Sequence, residues 1–240
     1  AKSVHSSIKG PNHMEFLLLF LLFAFLVRIP PSQGRFKSSG YKDASGHSLF
    51  ETILDPGRNG EFLIFSCLER FGEEHKLLTN VYVPKEDGTT TEIDLIMITA
   101  TGIYVFESKN YSGWIFGDEN TKFWTQSLKG GKKYRFYNPI WQNKKHISAL
   151  QKHLRLGNDV FHSYIILSER CELKKMFVHS PKVKVMNRNV LFREVADDMT
   201  YLPEILSIWE INQIHTELSK YALADAATKQ AHVDAMKWRN

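Results

Sequence analysis

The stretch Thr91–Asn110, TEIDLIMITATGIYVFESKN, decides the fold. It reads as two runs rich in β-branched and aromatic residues on either side of a turn at Ala100-Thr101-Gly102. Pairing the runs antiparallel about a point between Ala100 and Thr101 sets Asp94 directly opposite Glu107. Side chains alternate along a strand, so Glu107 and Lys109 share a face, and Asp94 points to that same face. Two carboxylates and an ammonium thus converge among Ile, Leu, Met, Tyr, Val and Phe. Burying such charges is costly unless they pair or bind a metal. A hard divalent cation held by oxygen ligands is one resolution. An internal salt-bridge cluster is the other, with Glu92, opposite Lys109 in the same register, neutralising it.

Two candidate helices flank this hairpin. In DPGRNGEFLIFSCLERFGEE, Asp55 stands as N-cap and Pro56 follows it. Ile64, Phe65 and Leu68 fall on the face of Glu61, so a carboxylate opens the apolar stripe that should dock on the sheet. Glu69, Glu73 and Glu74 take the solvated face. In NPIWQNKKHISALQKHL, Asn138 caps, Pro139 takes the first position and Gly157 ends the helix. Gln142 lies in the first turn, where the macrodipole and free N–H groups favour an anion such as a phosphate.

The run GRNGE, then TEIDLIMITATGIYVFESKNYSGWIFG, then Trp124 with NPIWQNKKHISAL, resembles the nuclease-related domain called NERD, of the PD-(D/E)XK nuclease-like superfamily. The resemblance spans about Gly57 to Leu167. A lone E-x-K is nearly worthless as a motif. Preceded by I-D in a neighbouring strand, with G-E upstream and N-P-x-x-Q-N downstream, it is specific. The resemblance implies an α/β fold with a restriction-endonuclease-like core, α-β-β-β-α-β, its mixed central sheet flanked by helices. It implies Asp94 as metal-ligating aspartate, Glu107 and Lys109 as the ends of the E-x-K element, Glu61 as the helix-borne glutamate supporting the metal, and Gln142 as the glutamine near the scissile phosphate. The catalytic set is then Glu61, Asp94, Glu107, Lys109 and Gln142, with Mg²⁺ or Mn²⁺ held by Asp94, Glu107 and Glu61. The superfamily's leading proline is absent before Asp94, where Ile93 stands.

The 240 residues carry a net charge of +5 and a pI near 9.0, which favours polyanionic partners modestly. A hydrophobic share of 43% is ordinary for a folded domain and argues against disorder. Two cysteines, Cys67 and Cys171, make no disulfide framework and read as reduced thiols. No G-x-S-x-G element occurs, and His146 and His153 share a helix face with no third ligand at zinc spacing.

A basic segment supplies the expected nucleic-acid contacts. Lys129, Lys132, Lys133 and Arg135 sit beside Tyr134, Phe136, Tyr137 and Trp141, and Lys144, Lys145, Lys152 and Arg155 follow on the helix. Positive charge for the backbone with rings for stacking is the pattern of nucleic-acid contact. The plain alternative is a solvated basic surface with Trp141 in the core. The partner expected is nucleic acid, DNA ahead of RNA.

Along the chain, residues 1–14 read as an expression-tag remnant and are set aside. Residues 15–29 hold twelve apolar residues from Phe16 to Val27, where a full span needs about twenty. Arg28, Arg35, Lys37 and Lys42 follow. The expectation is a shortened single-pass membrane anchor with the catalytic domain in the cytoplasm, a packed helix and a signal-peptide core being the alternatives. Residues 30–48 read as a linker, 49–200 as the nuclease-like domain and 201–240 as C-terminal helices. Strands are expected at Lys76–Pro84, Phe161–Leu167, Val183–Met186 and Val190–Phe192, and a short hairpin joins Trp114–Phe116 to Lys122–Trp124. A closing helix is expected to use Ile205, Ile208, Trp209 and Leu218.

The expected function is a metal-dependent nuclease tethered to the membrane. The alternatives are a catalytically silent nucleic-acid-binding module with the same fold, and a structural protein stabilised by the charge cluster.

Overall fold

A computed structural model describes residues 30–237, and the chain divides into two units, 1–39 and 40–240. The described part of the first unit is a helix, α1 (Pro30–Ser38). In the second unit the stretch read as the rest of a linker carries α2 (Tyr41–Ser45). Tyr41 is fully buried, with its ring 5.4 Å from Phe62 and 5.5 Å from Phe65. Together with the Thr79 hydroxyl, which donates to the Ala44 carbonyl at 3.1 Å, this aromatic anchor holds the polar segment on the domain.

Next come α3 (Leu49–Leu54), started by a Ser48–Glu51 capping box, and α4 (Pro56–Leu68). The Asp55 carboxylate accepts from the Gly57 and Arg58 N–H groups, and Pro56 loses nothing at a position whose N–H is unpaired anyway. Ile64, Phe65 and Leu68 are buried, as the stripe requires.

The central sheet has the order β1 (Lys76–Pro84), β2 (Thr90–Thr99), β3 (Gly102–Lys109), then β7 (Phe161–Leu167) and β9 (Val183–Asn187). β2 runs antiparallel to both β1 and β3, while β7 lies parallel to β3 and β9 parallel to β7. Leu95 faces Phe106 and Thr99 faces Gly102, which is the register read from the sequence. Gly102 has φ +135°, and a Cβ there would lie 2.6 Å from the Val160 carbonyl oxygen, so the turn admits no side chain.

Asn110–Tyr137 grows into a second sheet of order β6 (Lys133–Tyr137), β5 (Phe123–Ser127), β4 (Gly113–Asp118) and β8 (Cys171–Phe177). Ile115, Trp124, Ile165 and Leu167 share one core. α5 (Pro139–Leu154) packs on β7 and β3. Its end differs from expectation: Arg155 itself turns left-handed at φ 56°, ahead of Gly157.

The residues Val190–Phe192 do not form a strand. They enter α6 (Leu191–Tyr201), where Leu191 and Val195 are buried at helical spacing. In α7 (Ile208–Ser219), Ile211, Ile214 and Leu218 face the core, whereas Ile208 and Trp209 are exposed. The stripe is thus rotated from the one expected. α8 (Ala226–Lys237) follows.

The apolar run Phe16–Val27 and the residues 1–14 lie outside the described residues. Among the described residues no helix is long and apolar enough to cross a membrane. The expected single-pass membrane localisation is therefore corrected.

Candidate active site

β2 and β3 bring Asp94, Glu107 and Lys109 together, α4 adds Glu61 and α5 adds Gln142. Gly60 lets α4 approach β3, since a Cβ on it would stand 3.0 Å from Ser108 Oγ. The next residue, Glu61, is thereby carried to the open end of the hairpin. Gln142 reaches inward from the first turn of α5, which Asn138 starts by accepting from the Ile140 N–H. The Asn138 amide also donates to the Asp118, Glu119 and Thr121 carbonyls, locking the helix start to the β4–β5 turn.

Lys109 Nζ donates to Glu107 Oε1 at 2.5 Å and to Gln142 Oε1 at 3.2 Å. Glu107 is 1% exposed. Its other oxygen receives His146 Nε2 at 3.1 Å, and His146 Nδ1 lies 2.8 Å from Thr91 Oγ1. An ionised Glu107 can only accept, so His146 Nε2 carries the proton directed towards it. Asp94 Oδ2 takes the Ser108 N–H at 2.8 Å. Glu61 Oε2 takes the Asn80 amide at 3.1 Å. Asn80 falls opposite Asp94 in the β1–β2 register, with left-handed φ 50°, and its Oδ1 is buried with no hydrogen-bond partner.

Electrostatics separate the three carboxyl groups. Burial pushes Asp94 well above its ordinary range, and the charges of Glu107 and Glu61 push the same way. Burial also pushes Glu61 up to about 7, against the Asn80 hydrogen bond. Burial would raise Glu107 too, but Lys109 and His146 outweigh it and hold the group below the usual range. Burial would lower Lys109, yet the Glu107 and Asp94 carboxylates overcome it and keep the ammonium charged.

All five expected residues therefore belong to one cluster. Glu92 is not the partner of Lys109: it accepts from Tyr82 Oη at 2.6 Å across the β1–β2 pair. Among the described residues no group of three or more His, Cys, Asp and Glu side chains is arranged to hold a metal ion. Both Glu107 oxygens are already engaged. The donor chemistry nevertheless suits a hard divalent cation: an all-oxygen set in which burial opposes the ionisation of Asp94 and Glu61, so that a cation would supply the missing counter-charge, with an unpaired amide oxygen beside them.

Asn80, His146 and Thr91 escaped the sequence reading. The signal for His146 was its position four residues after Gln142, on one helix face. For Asn80 it was a lone amide in the apolar strand LLTNVYV.

Lys129 and Lys132 lie at the tip of the β5–β6 hairpin, Lys133 and Arg135 on β6, and Lys144 and Lys145 on α5, all exposed. Trp141 is only half-buried and is not a core residue. With Tyr137, Lys144, Lys145 and Ser148 it lines a surface hollow of about 350 Å³. Cys67 and Cys171 are not joined in a disulfide.

Residues 56–168 match the family described as the nuclease-related domain. An uncharacterized protein of Bacillus anthracis is 34% identical over 178 residues, covering 74% of this chain and 82% of that one. The chain belongs to the nuclease-related domain family. Membership places it in the PD-(D/E)XK-like nuclease superfamily, consistent with the mixed sheet and flanking helices, and makes its function nuclease-related. A crystal structure of a protein of unknown function matches 76% of this nuclease-related chain and 97% of its own, at 13% identity and a TM-score of 0.26.

Proposed function

We propose that the protein is a divalent-metal-dependent nuclease that hydrolyses phosphodiester bonds, DNA ahead of RNA. The observation that carries this reading is the joining of Asp94, Glu107, Lys109 and Gln142 in one partly buried cluster beside Glu61, with Glu107 at its buried centre. Asp94 and Glu107 would hold Mg²⁺ or Mn²⁺, with Glu61 and the Asn80 carbonyl oxygen beside them. Such an ion, when bound, polarises a phosphoryl oxygen and lowers the pKa of its water.

The residues themselves divide the remaining work. Lys109 stays protonated between two carboxylates, so it acts as a fixed cation and donor towards phosphate oxygens, not as a proton acceptor. Gln142 anchors Lys109 through Oε1 and leaves its amide N–H groups for the substrate. His146 fixes the rotamer of Glu107. Glu61, at about 7, can take up or release a proton at neutral pH.

Asp94→Asn and Gln142→Ala should each lower divalent-dependent cleavage at least a hundredfold, on the order of one lost transition-state contact. Cleavage unchanged in both would place the activity elsewhere. A second reading, a silent nucleic-acid-binding module, is favoured by one observation: both Glu107 oxygens are taken by Lys109 and His146. Retention of nucleic acid without product under any divalent ion would select it.

A further inference from the structure

A file of aromatic rings runs from β5 across β6 to the first turn of α5. Phe123 is paired with Tyr137 across β5 and β6, and their rings meet edge to face with centroids 6.5 Å apart. Tyr137 and Trp141 meet the same way at 6.3 Å. The Trp141 indole N–H donates to the Glu119 carbonyl at 2.7 Å, which fixes the last ring in place. Cations lie over these rings: Lys122 Nζ at 5.3 Å and Arg135 Cζ at 4.8 Å from the Phe123 centroid, and Lys145 Nζ at 4.7 Å from that of Tyr137. The file opens into the hollow of about 350 Å³ beside Lys144 and Lys145. The next residue after Trp141 is Gln142, which is bonded to Lys109.

We infer that Phe123, Tyr137 and Trp141 form a track for an unpaired nucleic-acid strand, whose bases stack on the rings while Arg135, Lys144 and Lys145 neutralise its phosphates. Base–aromatic stacking tolerates any sequence, because every base has a π-face, and the lysines supply the salt-dependent part. The ring geometry does not match a duplex strand, whose bases lie parallel at a ~3.4 Å rise: neighbouring rings here touch edge to face, with centroids 6.3 and 6.5 Å apart. The rings also stand nearly perpendicular to one another, at 76° and 86°, so they fit splayed bases and not a continuous stack. Delivery of the strand to Gln142 rests on the nuclease reading, whereas the binding itself does not.

The test is therefore run in chelator, which removes divalent-dependent cleavage from the readout. Fluorescence anisotropy of a labelled oligothymidylate of about 15 nucleotides is compared with a blunt duplex of equal length. The single strand should bind at least tenfold more tightly. Trp141→Leu and Phe123→Leu should each weaken it roughly tenfold and leave the duplex unchanged, and Trp141→Phe should restore most of the loss. Phe123 is 39% exposed, so its leucine variant keeps the test valid if changes at Trp141 disturb folding. Equal affinity for the duplex, or single-strand binding unmoved by Phe123→Leu, would overturn the track. So would full displacement of the strand by polyglutamate, which would leave charge alone as the cause. Loss of cleavage in Asp94→Asn with this binding intact would count for the track irrespective of turnover.

Discussion

Replacing Glu61 with glutamine preserves its shape and its acceptor for the Asn80 amide while removing a charge that the fold resists. Folded Glu61 titrates at about 7, against an ordinary 4.5. The folded state therefore holds the proton more tightly than the unfolded chain. The stability this gives is complete below pH 4.5 and is lost as the pH rises through about 7. At 1.36 kcal/mol per pKa unit the loss is on the order of 3 kcal/mol. Glu61→Gln cannot ionise, so it should exceed the parent protein by that order at about pH 8 and match it at about pH 4.5. Urea denaturation at the two pH values in chelator reads the difference directly. Asp94 shifts in the same direction in both proteins, by less in the variant, which lacks the Glu61 charge, so its contribution widens the gap in the same sense. A gap of equal size at both pH values, or a variant less stable at high pH, would refute burial as the cause. Added Mg²⁺ should narrow the gap, because a cation at the site stabilises only the ionised form.

Further substitutions follow from the same packing. Lys109→Met should cost about 3–5 kcal/mol at neutral pH, since it leaves Glu107 buried with His146 alone; acid should relieve the loss as Glu107 takes up a proton, read from urea midpoints. Asn138→Ala removes an N-cap and three carbonyl contacts from a fully buried amide, and should cost about 2–4 kcal/mol in the same assay. Gly102→Ala drives a Cβ into the Val160 carbonyl, so it should lower the thermal midpoint by more than 5 °C or abolish soluble expression.

The site was largely legible because its spacing is backbone-determined. A two-residue turn fixes register, register fixes faces, and the pairing of Leu95 with Phe106 carries Asp94 to Glu107. The helix starts at Asp55 and Asn138 were equally local. What stayed hidden depends on tertiary partners. Asn80 matters only because α4 brings Glu61 to it, and His146 only because Thr91 and Glu107 lie across the sheet. Val190–Phe192 has a strand's composition, yet burial of Leu191 and Val195 at helical spacing makes it α6. Ile208 and Trp209 show the converse failure: apolar residues in periodic sequence that the fold leaves in solvent. β8, CELKKMF, alternates too weakly to announce itself, and its place beside β4 is set by the second sheet.

Incubation of the purified protein with linear DNA, circular DNA and RNA, each with Mg²⁺, Mn²⁺ or chelator and beside Asp94→Asn, tests the catalytic site most directly. Product that requires a divalent ion and disappears in Asp94→Asn is the expected result. Product that persists in chelator and in Asp94→Asn would contradict it, as would a folded protein that cuts none of the three substrates with either ion.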